Sequence, residues 1–203
     1  MGKIVCVGRN YREHAREMGN EVPAEPLLFL KPSSSAIGDG EPIVLPPLSG
    51  QVEYEGEIGV VIHSPLRHAS EGQARRGIRG VLALNDVTAR DLQKKDSQWT
   101  RAKGFDTFCP VGEVHELVHD DALDEIAVLT LLNGDERQRG HAGQMAFSIP
   151  ALLSYISRIM TLDPGDVVAT GTPAGVGMLS PGDEVEVRIP GMSHVRNPVI
   201  AEG

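Results

Sequence analysis

Short apolar runs punctuated by glycine and proline dominate the chain, and helical periodicity is confined to a few stretches. Ile4 to Val7 is apolar and ends at Gly8, which predicts a first strand. Between Tyr11 and Met18 the composition changes to helix formers, with Gly19-Asn20 as a stop signal. A proline-rich stretch with Pro23, Pro26 and Pro32 then holds an extended apolar piece, Leu27 to Leu30. Pro42, Pro46 and Pro47 frame Ile43 to Leu45 as a short strand near a sheet edge. Glu55 to Ile62 carries the strongest strand pattern and Ile78 to Leu84 the second, while Val87 to Lys94 predicts a short helix.

Further on, Ala127 to Leu132 predicts a strand, and Asn133-Gly134 is the hairpin dipeptide expected after it. Ile149, Leu152, Leu153, Ile156, Ile159 and Met160 recur at helical spacing, with Pro150 allowed in the first turn. Asp166 to Thr170 predicts another strand, followed by the Gly/Thr/Pro segment Thr170 to Gly177. After the turn Pro181-Gly182-Asp183, Glu184 to Ile189 alternates polar and apolar residues like a half-exposed final strand. Many short strands with about three helices make an α+β pattern rather than regular βαβ winding. The 203 residues fit one domain, residues 1–203, with no repeat and no low-complexity linker.

Composition narrows the possible partners. Hydrophobic residues at 40% and charged residues at 23% are ordinary for a globular protein. The net charge of -9, a pI near 5.2 and only 4% aromatics argue against nucleic acid, whose binders carry a basic footprint. Cys6 and Cys109 have neither zinc-site nor disulfide-framework spacing and are read as reduced thiols. No apolar run approaches the roughly 18 residues of a membrane span. The N-terminal apolar stretch is too short for a signal peptide, so the cytoplasm is the expected location, without a membrane partner.

The chemical signal is a set of carboxylates. Residues two apart on a strand share a face, so Glu55 and Glu57 project side by side ahead of an apolar run. Two like charges in a partly buried place need a positive partner; otherwise the pair belongs on a solvated edge strand. Asp86 ends the apolar run Val81 to Leu84 just before the predicted helix, where it reads as a helix cap or as a third acid. Three carboxylates without cysteine or nearby histidine suit a hard ion such as Mg²⁺, Mn²⁺ or Ca²⁺. Spacing alone does not bring Asp86 to Glu55. Asp86, Arg90 and Gln93 are four and three apart and fall on one helical face, which either holds an anion or is solvated. Lys103 lies in a glycine-flanked loop. His14 and Glu17, three apart, make either a carboxylate-oriented base or part of an ion-paired surface helix. The glycine-rich segment from Thr170 offers N–H groups for an anion, or is a structural turn. It lacks the lysine of a phosphate loop.

Taken in order, V-G-R-N-Y with His14 and Glu17, F-L-K-P at 29–32, E-G-E-I-G-V-V at 55–61 and N-D-V-T-A-R-D at 85–91 resemble the fumarylacetoacetate hydrolase family. W-T-R-A-K-G-F-D at 99–106, F-S-I-P at 147–150 and T-G-T-P-A-G-V-G at 170–177 complete the set, so the resemblance runs nearly end to end. The chain is similar to the small single-domain members. The resemblance implies a mixed-sheet β-sandwich roll, a homodimer, and a Mg²⁺ or Mn²⁺ site (Ca²⁺ as a substitute ion) on Glu55, Glu57 and Asp86. It implies that His14 and Glu17 hold the catalytic water on a mobile lid of about residues 9–35, with Lys103 also catalytic. Arg90, Gln93 and Thr172 match substrate-binding positions. The implied substrates are small 2-oxo acids: hydrolysis of acylpyruvates or fumarylpyruvate, decarboxylation of oxaloacetate, or isomerisation or tautomerisation of an unsaturated 2-oxo diacid. A non-catalytic, metal-dependent binder of oxo acids is the reading from another class.

Overall fold

Strand β6 (Gly56–Ile62) is buried at all of its positions, and the architecture is organised around it. The computed structural model describes residues 2–17, 19, 21–118 and 122–203. Around β6 runs a six-stranded mixed sheet that also contains β1 (Ile4–Gly8), β2 (Leu27–Lys31), β7 (Ile78–Asn85), β10 (His115–Glu116) and β13 (Val167–Ala169). Its order is β10-β7-β6-β13-β1-β2, with only the β1–β13 pair parallel. A central strand covered on both faces reads as a continuous apolar run, which is why Ile58 to Ile62 lacks alternation.

A five-stranded sheet faces it. This sheet holds β4 (Ile43–Leu45), β11 (Ala127–Leu132), β12 (Asp135–His141), β15 (Glu184–Ile189) and β16 (Ser193–Ala201), in the order β12-β11-β15-β16-β4. Strand β4 lies at the edge, where its flanking prolines predicted it. Asn133 and Gly134, both at positive φ (55° and 85°), turn β11 into β12 as the dipeptide foretold. Val5, Ile58 and Val60 from one sheet meet Val128, Val187 and Val195 from the other in the main core. Helix α5 (Ile149–Ile159) adds Leu152, Leu153 and Ile156 to that core; Ser148 caps it and Pro150 sits in its first turn. Two mixed sheets face to face with short helices are the sandwich-like α+β arrangement expected.

Smaller pieces carry the chemistry. Strands β5 (Val52–Tyr54), β8 (Thr88–Ala89) and β14 (Gly177–Met178) form a three-stranded sheet, and β3 (Ala36–Ile37) pairs with β9 (Cys109–Pro110). The short helices are α1 (Arg12–Glu17), α2 (Glu71–Arg76), α3 (Arg90–Lys95) and α4 (Thr100–Lys103). Met18 and Asn20, at the predicted end of the first helix, lie outside the described residues.

The structure corrects four expectations. The predicted helix from Val87 starts only at Arg90, because Thr88 and Ala89 pair with Glu53 and Val52 as strand β8. Asp86 is therefore neither a helix cap nor on the helical face of Arg90 and Gln93. Lys103 closes α4 rather than lying in a loop. Glu184–Ile189 is followed by a longer strand, β16, whose burial alternates along its length. Pro198 and the polar residues of β16 hid that pattern in the sequence.

Candidate active site

The strand register decides what spacing could not. Glu55 lies in the one-residue break between β5 and β6, and Gly56 pairs with Asn85 across the β6–β7 ladder. The Asp86 amide donates to the Glu55 carbonyl at 2.8 Å, and the Glu55 amide donates to Asn85 Oδ1 at 3.0 Å. Antiparallel pairing thus sets Asp86 directly beside Glu55, with Glu57 two residues along. One oxygen from each of Glu55, Glu57 and Asp86 lies within 4.8 Å of the others, and all three side chains are buried. The solvated-edge reading of the glutamates is thereby overturned. Gly56 lies so close to the Thr130 hydroxyl that a Cβ would collide with it, which explains glycine between the two acids.

Cations surround this floor. Lys103 Nζ donates to Glu55 Oε2 at 2.9 Å and to Asp86 Oδ2 at 2.6 Å. Lys31 Nζ reaches the other Asp86 oxygen at 2.6 Å and the Val87 carbonyl at 3.1 Å. Arg90 forks between Glu53 (2.8 Å) and Glu55 (2.5 Å) and donates its third contact to Gln93 Oε1 at 2.6 Å. Burial works against the Glu55 charge, yet Lys103, Arg90 and His14 together hold its carboxyl well below the usual range. Burial also opposes the charge of Lys103, and Asp86 and Glu55 outweigh it and keep the ammonium protonated. Glu57 behaves oppositely. Burial, reinforced by the charges of Asp86 and Glu55, pushes its carboxyl well above the usual value.

The glycine-rich loop completes the floor by binding an anion that belongs to the chain. The Gly171 amide donates to Glu57 Oε2 at 2.8 Å, and Thr172 Oγ1 donates to the Gly56 carbonyl at 2.9 Å. Gly171 has φ 98°, and a Cβ there would lie 2.8 Å from the Asn10 Cβ, so only glycine serves. Farther along, the Gly175 amide donates to Glu17 at 3.0 Å, and His14 Nδ1 lies 3.2 Å from Glu17 Oε2. His14 faces the same cavity, of about 360 Å³, as Glu55, Glu57, Asp86, Arg90, Gln93, Lys103 and Thr172. Of the nine residues singled out from the sequence, only Glu17 does not line it. Glu17 stands behind His14 instead.

Four positions that brace the site were given no role from the sequence, although Asn10 and Lys31 lie in motifs that carry the resemblance. Lys31 is the one charged residue at the end of an apolar strand, which was its signal. Glu53 extends the every-second-residue run of Glu55 and Glu57 and anchors Arg90. Gln138 donates to Thr172 Oγ1 at 2.8 Å from β12, most of whose residues are exposed. Asn10 donates to the Thr170 carbonyl at 2.8 Å and accepts from the Phe147 amide at 2.9 Å, tying three sequence motifs together. Its neighbours in sequence gave no hint of that role.

The donor set fits a hard divalent cation. It offers carboxylate oxygens only, deep in the protein, and Glu57 has no ion-pair partner among the described residues. A dication is the counter-charge that would keep all three acids ionised together. No other group of three metal-binding side chains occurs among the described residues.

Comparison with known proteins shows the family. The family described as fumarylacetoacetate (FAA) hydrolase C-terminal matches residues 3–200. A mitochondrial oxaloacetate tautomerase from Bos taurus is 42% identical over 193 residues, covering 93% of this chain and 87% of that protein. The crystal structure of a 5-carboxymethyl-2-hydroxymuconate delta-isomerase from Mycobacterium smegmatis superposes with a TM-score of 0.89 at 43% identity, covering 99% of this chain and 79% of that one. Fumarylpyruvate hydrolase from Pseudomonas aeruginosa, in complex with Mn²⁺ and pyruvate, superposes at 0.93 with 30% identity, covering 100% and 91%. The chain belongs to the fumarylacetoacetate hydrolase family.

Proposed function

We propose that this protein is a divalent-metal-dependent enzyme that hydrolyses a carbon–carbon bond in small 2,4-dioxo acids of the acylpyruvate or fumarylpyruvate type. The observation that carries the reading is that His14, with Glu17 behind it, lines the same cavity as the Glu55–Glu57–Asp86 floor. Glu55, Glu57 and Asp86 would hold Mg²⁺ or Mn²⁺. Bound there, the ion would supply Lewis acidity toward the 2-oxo group and the adjoining carboxylate of the substrate. The Mn²⁺ and pyruvate in the Pseudomonas relative support that choice of ion and product.

The chain's own groups divide the remaining work. Arg90, braced by Glu53 and Gln93, positions the substrate carboxylate together with Gln93, and the Thr172 hydroxyl lines the same cavity. His14, oriented by Glu17, takes a proton from a water that attacks the distal carbonyl at C4. The C3–C4 bond then breaks. Its electron pair passes to the 2-oxo oxygen, where the Lys103 ammonium stabilises the developing charge. The proton held on His14 returns to C3, leaving pyruvate and the second carboxylic acid. Glu17 also accepts from the Gly175 amide, so the orienting carboxylate is itself held from two sides.

A second reading keeps the floor and dispenses with the water. Decarboxylation or tautomerisation of oxaloacetate, or isomerisation of an unsaturated 2-oxo diacid, needs the same charge stabilisation at the 2-oxo oxygen. The names of the Bos taurus and Mycobacterium smegmatis relatives favour it. Acetylpyruvate, fumarylpyruvate and oxaloacetate assayed with Mg²⁺ or Mn²⁺, against protein treated with EDTA, separate the two. Hydrolysis is expected to be metal-dependent and to fall on the order of 10²–10⁴-fold in His14→Ala. Undiminished acylpyruvate cleavage in that variant would remove the water-activating role. Oxaloacetate turnover without acylpyruvate cleavage would select the second reading.

A further inference from the structure

The buried floor has a definite charge balance. Counted with every group ionised, as a bound dication would hold them, four carboxylates, Glu53, Glu55, Glu57 and Asp86, face three cations, Lys31, Arg90 and Lys103, leaving one negative charge in excess. A divalent ion turns that into one positive charge, which the single carboxylate of a 2-oxo monoacid neutralises. Nothing in the floor then calls for more positive charge.

More is present nonetheless. Arg9 and Lys94 line the same cavity, from the end of β1 and from α3, and neither forms an ion pair or side-chain hydrogen bond among the described residues. Among the described residues, the acids lining the cavity are the three of the floor. Lys95, next in sequence, does not line it, so a helix-end preference for cations does not account for the direction of Lys94. Arg9 is also held at φ 59°, a left-handed conformation that glycine or asparagine adopts far more readily than arginine. The following residue, Asn10, fixes that geometry through its side-chain bonds to the Thr170 carbonyl and the Phe147 backbone. A long cation is kept in an unfavourable backbone position beside the cavity, without a partner among the described residues.

We propose that Arg9 and Lys94 form a second anion subsite at the cavity mouth, which binds a carboxylate at the far end of the substrate and selects 2-oxo dicarboxylates over 2-oxo acids with neutral tails. The inference rests on the 2-oxo-acid reading above and adds the two residues that read the far end of the substrate. Trp99 and Phe29, in edge contact with ring centroids 5.3 Å apart, line the cavity with them and give an apolar wall for the carbon chain between the two carboxylates. A neutral tail leaves both cations facing solvent; a carboxylate there meets two donors at once.

Trp99 is the only tryptophan in the chain and lines the cavity, so its fluorescence reports occupancy without turnover. The probes are 2-oxoglutarate and 2-oxoadipate against 2-oxopentanoate and 2-oxohexanoate, each titrated with Mg²⁺ present and with EDTA. The diacids are expected to bind about tenfold or more tightly than the monoacids, with an advantage that shrinks as salt is raised. In the double variant Arg9→Asn, Lys94→Gln the advantage should vanish while monoacid affinity stays within about twofold of the parent protein. Asparagine keeps the left-handed backbone, and Arg9→Lys should retain most of the preference. Equal Mg²⁺-dependent binding of all four acids, or a preference that survives in the double variant, overturns the subsite alone. If none of the four perturbs Trp99 in a Mg²⁺-dependent way, the 2-oxo-acid reading falls and the subsite with it.

Discussion

The floor and the rim of the cavity are built by different means. Glu55, Glu57 and Asp86 sit on or beside paired central strands, and each is gripped by backbone amides, lysines or an arginine that are themselves buried. The His14–Glu17 pair sits on a six-residue helix and is tied to the rest of the site through one amide, that of Gly175. The His14 side chain is 8% exposed and that of Glu17 35% exposed, whereas Asp86 is 1% exposed. A floor fixed by sheet register holds charges that would repel each other in a looser setting. A rim on a short helix holds the group to which the proposed hydrolysis assigns the water. The two regions should therefore answer to mutation in different currencies, stability for the floor and rate for the rim.

The sharpest break in that contrast is Asp86→Ala. It strips Lys31, whose side chain is fully buried, of its only acid and removes one of the two acids from Lys103. We expect a loss of about 3–5 kcal/mol in urea unfolding, typical of a buried charge left without its partner. His14→Ala, despite its large effect on rate, should change unfolding by less than about 1 kcal/mol, since Glu55 keeps the larger counter-charges of Lys103 and Arg90 without it. Equal destabilisation by the two variants would erase the distinction.

A smaller effect tests the floor from the other side. Mg²⁺ at about 100 times its dissociation constant should stabilise the folded protein by about 2.7 kcal/mol, read as a rise in Tm. Glu57→Gln should abolish most of that rise. A rise that persists in Glu57→Gln would place the ion elsewhere.

Smallest is the effect of the strap between the two regions. Asn10→Ala leaves the Thr170 carbonyl and the Phe147 amide without a side-chain partner and should cost about 1–3 kcal/mol. Because Asn10 carries α1 and the glycine-rich loop together, hydrogen exchange should speed up at both and stay unchanged in β6 and β7. Faster exchange throughout would mean that Asn10 supports the floor as well as the rim.

Much of this arrangement was legible in order along the chain. Apolar runs bounded by glycine and proline marked β1, β4, β6, β7 and β11 closely, because a strand's burial is written into its own residues. Amphipathic spacing marked α5 for the same reason. Misreadings came where distant pairing overrode local preference: Thr88 and Ala89, set in a helix by their sequence neighbours, were drawn into a sheet by β5. Lys103, flanked by glycine and so read as loop, is buried because two acids from other strands receive it.

The sequence by itself established the α+β class, the family resemblance and the identity of nine chemically apt side chains. Only the tertiary structure decided that Glu55 and Asp86 stand beside each other, that Lys31 and Glu53 belong to the same network, and that Arg9 and Lys94 look into the same cavity. The reason is physical. Periodicity reports which face of an element is buried, while contact between elements depends on strand register and on the path of loops, and neither is encoded in any local stretch of residues.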